Sequence, residues 1–80
     1  MEDNILDQRL KEIFKSLFKN LPELKEDTNS KDIAEWDSLR HVMLITEIEN
    51  QLNIKFDLDE MLSMSTYGEI RTNVSKKLQQ

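Results

Sequence analysis

Trp36-Asp37-Ser38-Leu39-Arg40-His41-Val42-Met43-Leu44-Ile45-Thr46-Glu47-Ile48-Glu49-Asn50-Gln51-Leu52 is the stretch on which the fold turns. Leu44, Ile45, Ile48 and Leu52 recur at helical spacing and form one apolar stripe, so the segment reads as an amphipathic helix. Asp37 and Ser38 are good N-cap residue types and Asn53 suits a helix terminus, which predicts a helix from Asp37-Ser38 to about Leu52. Leu39, Val42 and Met43 fall partly off the stripe. They leave an apolar patch on the outer flank near the amino end, which suggests a docking surface.

Working outward, Leu6, Leu10, Ile13, Phe14, Leu17 and Leu21 follow the same period, with Asp7, Lys11, Lys15 and Lys19 on the opposite face. The spacing predicts a first helix over Asn4 to Asn20, capped by Asp3 or Asn4 and ended by Asn20-Leu21-Pro22, because a residue before proline is driven from the α region. Residues 22–36 are polar and turn-prone and read as a long loop with Leu24 and Ile33 pointing inward. On the carboxyl side, Asn53-Ile54-Lys55-Phe56 alternates like a strand, but it is too short and has no partner, so it reads as an ordered loop. Asp57-Leu58-Asp59-Glu60 has the cap-x-x-Glu form and predicts a short helix from Leu58 to Leu62. Thr66-Tyr67-Gly68-Glu69 repeats that form ahead of the stripe Tyr67, Ile70, Val74 and Leu78, which predicts a last helix from Tyr67 to Leu78. The expected fold is all-α: an up-and-down bundle of three main helices plus one short one, with a long first loop, in a single domain over residues 1–80.

Composition narrows the function. Eighty residues hold one small core, and a deep active site would sacrifice core that such a chain cannot spare. The absence of cysteine removes disulfides, thiolate metal sites and a cysteine nucleophile. The net charge of -5, from 16 acidic and 11 basic residues, opposes binding to nucleic-acid phosphates or anionic lipid. No apolar run is long enough to cross a bilayer and no basic flank marks a signal peptide, so a cytoplasmic protein is expected, and a monomer, since no coiled-coil repeat or long sticky edge appears. A single histidine and scattered carboxylates make no metal-ligand pattern, and Asp57-Leu58-Asp59-Glu60 lacks the glycine and the spacing of a calcium loop.

Ser38 stands at the junction of the long loop and a helix start, where backbone amides favour a bound anion such as a phosphate ester. The competing reading is that Asp37 and Ser38 only cap the helix. His41, one turn on, invites a serine-histidine dyad. No oxyanion loop precedes Ser38, however, and no third group orients the imidazole, so His41 reads better as a solvated helix residue.

Over nearly its whole length the chain resembles the acyl carrier protein family. The shared features are a first helix, a long loop, Asp37-Ser38-Leu39 opening the second helix with Val42, Leu44, Ile48 and Leu52 after it, a short third helix, and a fourth helix started by Thr66 with Ile70 inside it. The resemblance implies a non-catalytic phosphoprotein whose 4′-phosphopantetheine, taken from coenzyme A, is joined to Ser38 through a phosphodiester. Acyl groups would then ride as thioesters on the arm's terminal thiol, which accounts for thioester chemistry in a chain without cysteine. It implies that Asp37 helps a magnesium-dependent phosphopantetheinyl transferase recognise the site. The implied partners are that transferase, an acyl-loading ligase or acyltransferase, and downstream acyl-using enzymes of fatty-acid, polyketide or another specialised lipid pathway. Leu39, Arg40, Val42, Met43 and Glu47 are the expected partner contacts; Met61, Leu62 and Met64 are candidates for an acyl groove, with gap filling in the core the first reading of the methionines.

Two departures mark a subclass. Trp36 precedes the motif where fatty-acid carriers more often have a small or different residue, and Arg40, His41 and Met43 occupy positions where such carriers show acidic side chains. Glu47 and Glu49 remain to attract a basic partner. A peptidyl or aminoacyl carrier, including a D-alanyl carrier, stays open as an alternative, as does an unmodified helical module docking a partner helix.

Overall fold

The computed structural model describes residues 3–79. Its helices are α1 (Asp3–Leu17), α2 (Ser38–Leu52), α3 (Leu58–Ser63) and α4 (Tyr67–Leu78). α1 packs against both α2 and α4. Leu6, Leu10, Ile13 and Phe14 of α1 meet Leu44, Ile45 and Ile48 of α2 and Tyr67, Ile70 and Val74 of α4 in one core. Each such side chain contributes about 1.5–3 kcal/mol on burial, and with no disulfide this packing is what holds so short a chain together.

The expected ends of α2 and α4 agree with the structure, whereas α1 differs at both ends. Asp3 and Asn4 lie within α1 rather than capping it, and the position that would cap it falls outside the described residues. At its other end α1 stops at Leu17, three residues before Asn20, after a last helical bond from the Phe18 amide to the Phe14 carbonyl at 2.9 Å. Two side chains from farther along the chain take over there. The Glu35 carboxylate accepts from the Lys19 and Asn20 amides at 2.7 and 3.4 Å, and Arg40 donates to the Leu17 carbonyl at 2.6 Å. The turn away from the helix axis buries Phe18, which lay off the expected stripe. α3 runs one residue further than Leu62 and is opened by a full capping box between Asp57 and Glu60.

The long loop is ordered by side chains that bond to backbone. Thr28 is buried and its hydroxyl accepts from the Lys25 amide at 2.7 Å, and Asn29 is tied to Asp27, Lys31 and Asp32. Leu24 and Ile33 are both core residues. The loop then crosses the start of α4, where the Tyr67 amide donates to Thr28 at 2.8 Å and the Gly68 amide to Glu26 at 2.9 Å. Asn29 and Thr66 form an isolated antiparallel β-bridge, and no strand forms among the described residues. Gly68 is required by this crossing: a Cβ there would lie 2.7 Å from the Glu26 carbonyl oxygen and 3.2 Å from its Cα.

Candidate functional site

Asp37 sets the site. It is the N-cap of α2 in extended conformation, its carboxylate accepting from the Arg40 amide at 2.9 Å while its carbonyl accepts from the His41 amide at 2.9 Å. Ser38 therefore occupies the first helical position, where amides carry no intrahelical partner and the helix dipole favours an anion. Its side chain is exposed. Beside it an open groove of about 440 Å³ is lined by Ser30, Trp36, Asp37, Ser38, His41, Val42, Leu62, Met64 and Ser65. A phosphodiester on Ser38 thus fits the chain: the hydroxyl is accessible, the local field suits a negative charge, and an adjacent groove gives a tethered group somewhere to lie.

The groove floor is Trp36 and Met64, both buried. Trp36 packs edge-on against Phe14 at 5.5 Å between centroids and lies 6.1 Å from Phe18, so the end of the loop is pinned into the core. Its indole Nε1–H donates to Nδ1 of His41 at 3.0 Å. The other imidazole nitrogen, Nε2, lies 2.9 Å from the Met61 carbonyl oxygen of α3. The indole nitrogen only donates and the carbonyl only accepts, so His41 carries its proton on Nε2. The half-buried His41 is therefore no solvated side chain, because packing against Trp36 and α3 overrides its place on the polar side of the helical wheel. With both nitrogens engaged it has none to offer Ser38 as a base.

Among the expected partner residues, Leu39 is 69% exposed, Val42 45% and Met43 42%, so the off-stripe patch is present on the surface of α2. Arg40 differs: it is half-buried and holds the end of α1. Glu47 pairs with Gln51 at 3.0 Å along the helix. Of the groove candidates, Leu62 and Met64 line the groove, whereas Met61 packs against the core and reaches the site through its carbonyl. Sequence reasoning did not find Ser30 and Ser65 as lining residues; only the folding of the long loop onto the start of α4 brings them there.

Other charged groups serve structure. Glu69 sits below its ordinary value because the Ser65 hydroxyl donates to it at 2.8 Å. Glu60 is lowered by the Asp57 amide and by Lys77, 3.0 Å away. Among the described residues no group of three His, Asp or Glu side chains assembles to hold a metal ion, and no helix is long and apolar enough to cross a membrane.

A search of curated proteins by sequence finds no match. Among solved structures, the solution NMR structure of a holo acyl carrier protein from Geobacter metallireducens superposes with a TM-score of 0.82 at 37% identity, covering 92% of this chain and 85% of that one. The family model described as the phosphopantetheine attachment site matches residues 8–73, a span that takes in α2, the groove and most of the core. With an accessible helix-start serine inside that span and the carrier fold around it, the chain belongs to the phosphopantetheine attachment-site family, as an acyl carrier protein whose covalent cofactor is 4′-phosphopantetheine.

Proposed function

We propose that Ser38 bears the phosphopantetheine arm and that the chain is a non-catalytic carrier delivering acyl thioesters between enzymes of fatty-acid, polyketide or another specialised acyl-transfer pathway. The observation that carries this reading is the exposure of Ser38 at the first position of α2, directly beside the groove. When bound, the arm supplies a thiol for thioester exchange. The chain's own residues present and steer it. Asp37 fixes the turn on which Ser38 sits and offers a charge for the transferase to read. Leu39, Val42 and Met43 give partners an apolar contact, with Glu47 supplying attraction for a basic face. Holding the thioester on a tether raises its effective concentration at each partner's active site. His41 is occupied by Trp36 and Met61, which favours a carrier over a serine hydrolase.

The test is intact-protein mass spectrometry after incubation with coenzyme A, magnesium and a promiscuous phosphopantetheinyl transferase, with Ser38→Ala alongside. Gain of one phosphopantetheine by the wild type alone supports the proposal. A folded wild type left unmodified by several transferases overturns it in favour of an unmodified helical interaction module.

A further inference from the structure

We propose that His41 determines which cargo the carrier accepts: by tying α3 to α2 it keeps an acyl chain out of the helical core and confines it to the shallow groove beside Ser38. This rests on Ser38 as the arm-bearing residue.

The groove is bounded on one side by the first turns of α2 and on the other by Leu62, Met64 and Ser65 from α3 and the turn after it. Trp36 and Met64 of its lining belong to the same core cluster as Ile45, Ile48 and Tyr67, which are 0–2% exposed. An alkyl chain longer than the groove reaches that apolar interior only by parting α3 from α2. α3 is the element best suited to move, because it has six residues and none of them is buried. Leu58 and Leu62 each stand 65% exposed on it. Its polar ties to the rest of the fold are the Lys77–Glu60 ion pair at 3.0 Å near its amino half and the His41–Met61 hydrogen bond at 2.9 Å at its carboxyl half, beside the packing of the Met61 side chain against the core. The second of these is the one next to the groove. The imidazole is itself held by Trp36, whose ring lies nearly parallel to it, 22° between planes, and is anchored among Phe14 and Phe18. The bridge thus runs from the buried aromatic cluster, through His41, to the backbone of α3.

The groove left outside the bridge has a polar rim of Ser30, Asp37, Ser38 and Ser65 over an apolar floor of Trp36 and Met64. A short acyl group covers that floor. A long one leaves most of its methylenes in water, where burial would otherwise favour them. The structure therefore assigns short acyl groups to this carrier, with His41 as a positioning residue acting through Met61.

The experiment loads the holo protein with butanoyl, octanoyl and dodecanoyl groups. It follows hydroxylamine cleavage of each thioester and the Tm of each acyl form, since a chain bound inside the folded state raises Tm and shields the thioester. In the wild type, cleavage rates are expected to differ less than about twofold across the series, with Tm constant, as no chain gains an internal site. In His41→Ala, dodecanoyl cleavage should slow at least about tenfold relative to butanoyl and Tm should rise with chain length. His41→Gln retains a donor for the Met61 carbonyl and should restore the flat series. His41→Asn, too short to span to α3, should behave as the alanine variant does, and it serves in its place if that variant does not fold. A merely structural role would lower Tm by the same amount for every chain. Protection growing with chain length in the wild type, or a flat series in a folded His41→Ala or His41→Asn, overturns the inference. Absence of any arm in the mass spectrum overturns the Ser38 reading and the inference with it.

Discussion

The guanidinium of Arg40 lies 2.6 Å from the Leu17 carbonyl oxygen, so the first turn of the helix that presents Ser38 also closes the carboxyl end of α1. Arg40 is thus structural as well as close to the site. Alanine at Leu39, Val42, Met43 or Glu47 is expected to slow transfer to partner enzymes and leave stability within about 0.5 kcal/mol of wild type. Arg40→Ala is expected to lower stability by about 1.5–3 kcal/mol, because a charge-assisted hydrogen bond is lost and a helix-end carbonyl is left bare. Urea unfolding alongside a partner-turnover assay separates the two effects. Unchanged turnover in all five variants would remove the patch from the account.

Trp36→Phe keeps one aromatic ring against Phe14 and Phe18 but removes the N–H that faces His41 together with the second ring of the indole. Loss of the bond, with a half-buried acceptor left unpaired, is expected to destabilise by at least about 1–2 kcal/mol, to which the space vacated by the indole adds. For a domain of this size the lost bond alone is a fall in Tm of roughly 4–16 °C. Scanning calorimetry gives the value. Arm attachment should continue, since the Asp37 cap and Ser38 are untouched.

Gly68→Ala carries opposing effects. Alanine is the better helix former by about 0.5–1 kcal/mol, but its Cβ meets the Glu26 backbone, with the carbonyl oxygen at 2.7 Å. Backbone cannot step aside as a flexible side chain can, so the loop must lift and release the Gly68–Glu26 hydrogen bond. The expected result is a net loss of about 1–3 kcal/mol, read as a lower urea midpoint.

Acid should unfold the protein through a small set of carboxylates. Burial alone would raise Asp7, but the hydrogen bond from Tyr67 and the hydrogen bond and charge of Lys11, 3.0 Å away, outweigh it and hold Asp7 below its ordinary 3.8. Glu60 and Glu69 lie below 4.5 for the reasons given above. In each case the unfolded chain binds the proton more tightly, so the stabilisation is complete above the ordinary value and is lost as pH falls through the native one. Tm should hold steady down to about pH 5 and fall below it. Asp7→Asn should flatten part of that fall. Tyr67 acts at the other extreme: burial and the Asp7 carboxylate push its phenol far above 10.0. Unfolding should therefore be favoured as pH rises past 10, when the unfolded phenol ionises and the native one does not.

The boundaries of α2 and α4 and the start of α3 were legible because their signals are local: Asp37, Asp57 and Thr66 accept from amides three residues on, and Asn53 takes the left-handed conformation at φ 56°. The end of α1 was not, because it depends on Glu35 and Arg40, 15 to 23 residues away. The position of Ser38 followed from its motif. The groove beside it did not, since Ser30, Trp36, Leu62 and Ser65 come together only through the path of the long loop. His41 shows the limit most clearly: helical periodicity places it on a polar face, while Trp36 and the Met61 carbonyl draw it into the fold.

The most direct measurement follows from the sequence around the site. Trypsin cuts after Lys31 and Arg40 and releases residues 32–40, Asp-Ile-Ala-Glu-Trp-Asp-Ser-Leu-Arg, in which Ser38 is the only hydroxyl-bearing side chain. Fragmentation of this peptide from protein treated with a transferase and coenzyme A should show the whole phosphopantetheine mass on it, carried by the fragment ions that contain Ser38. An unmodified 32–40 peptide, with the added mass on another segment or on none, would contradict the account at its centre.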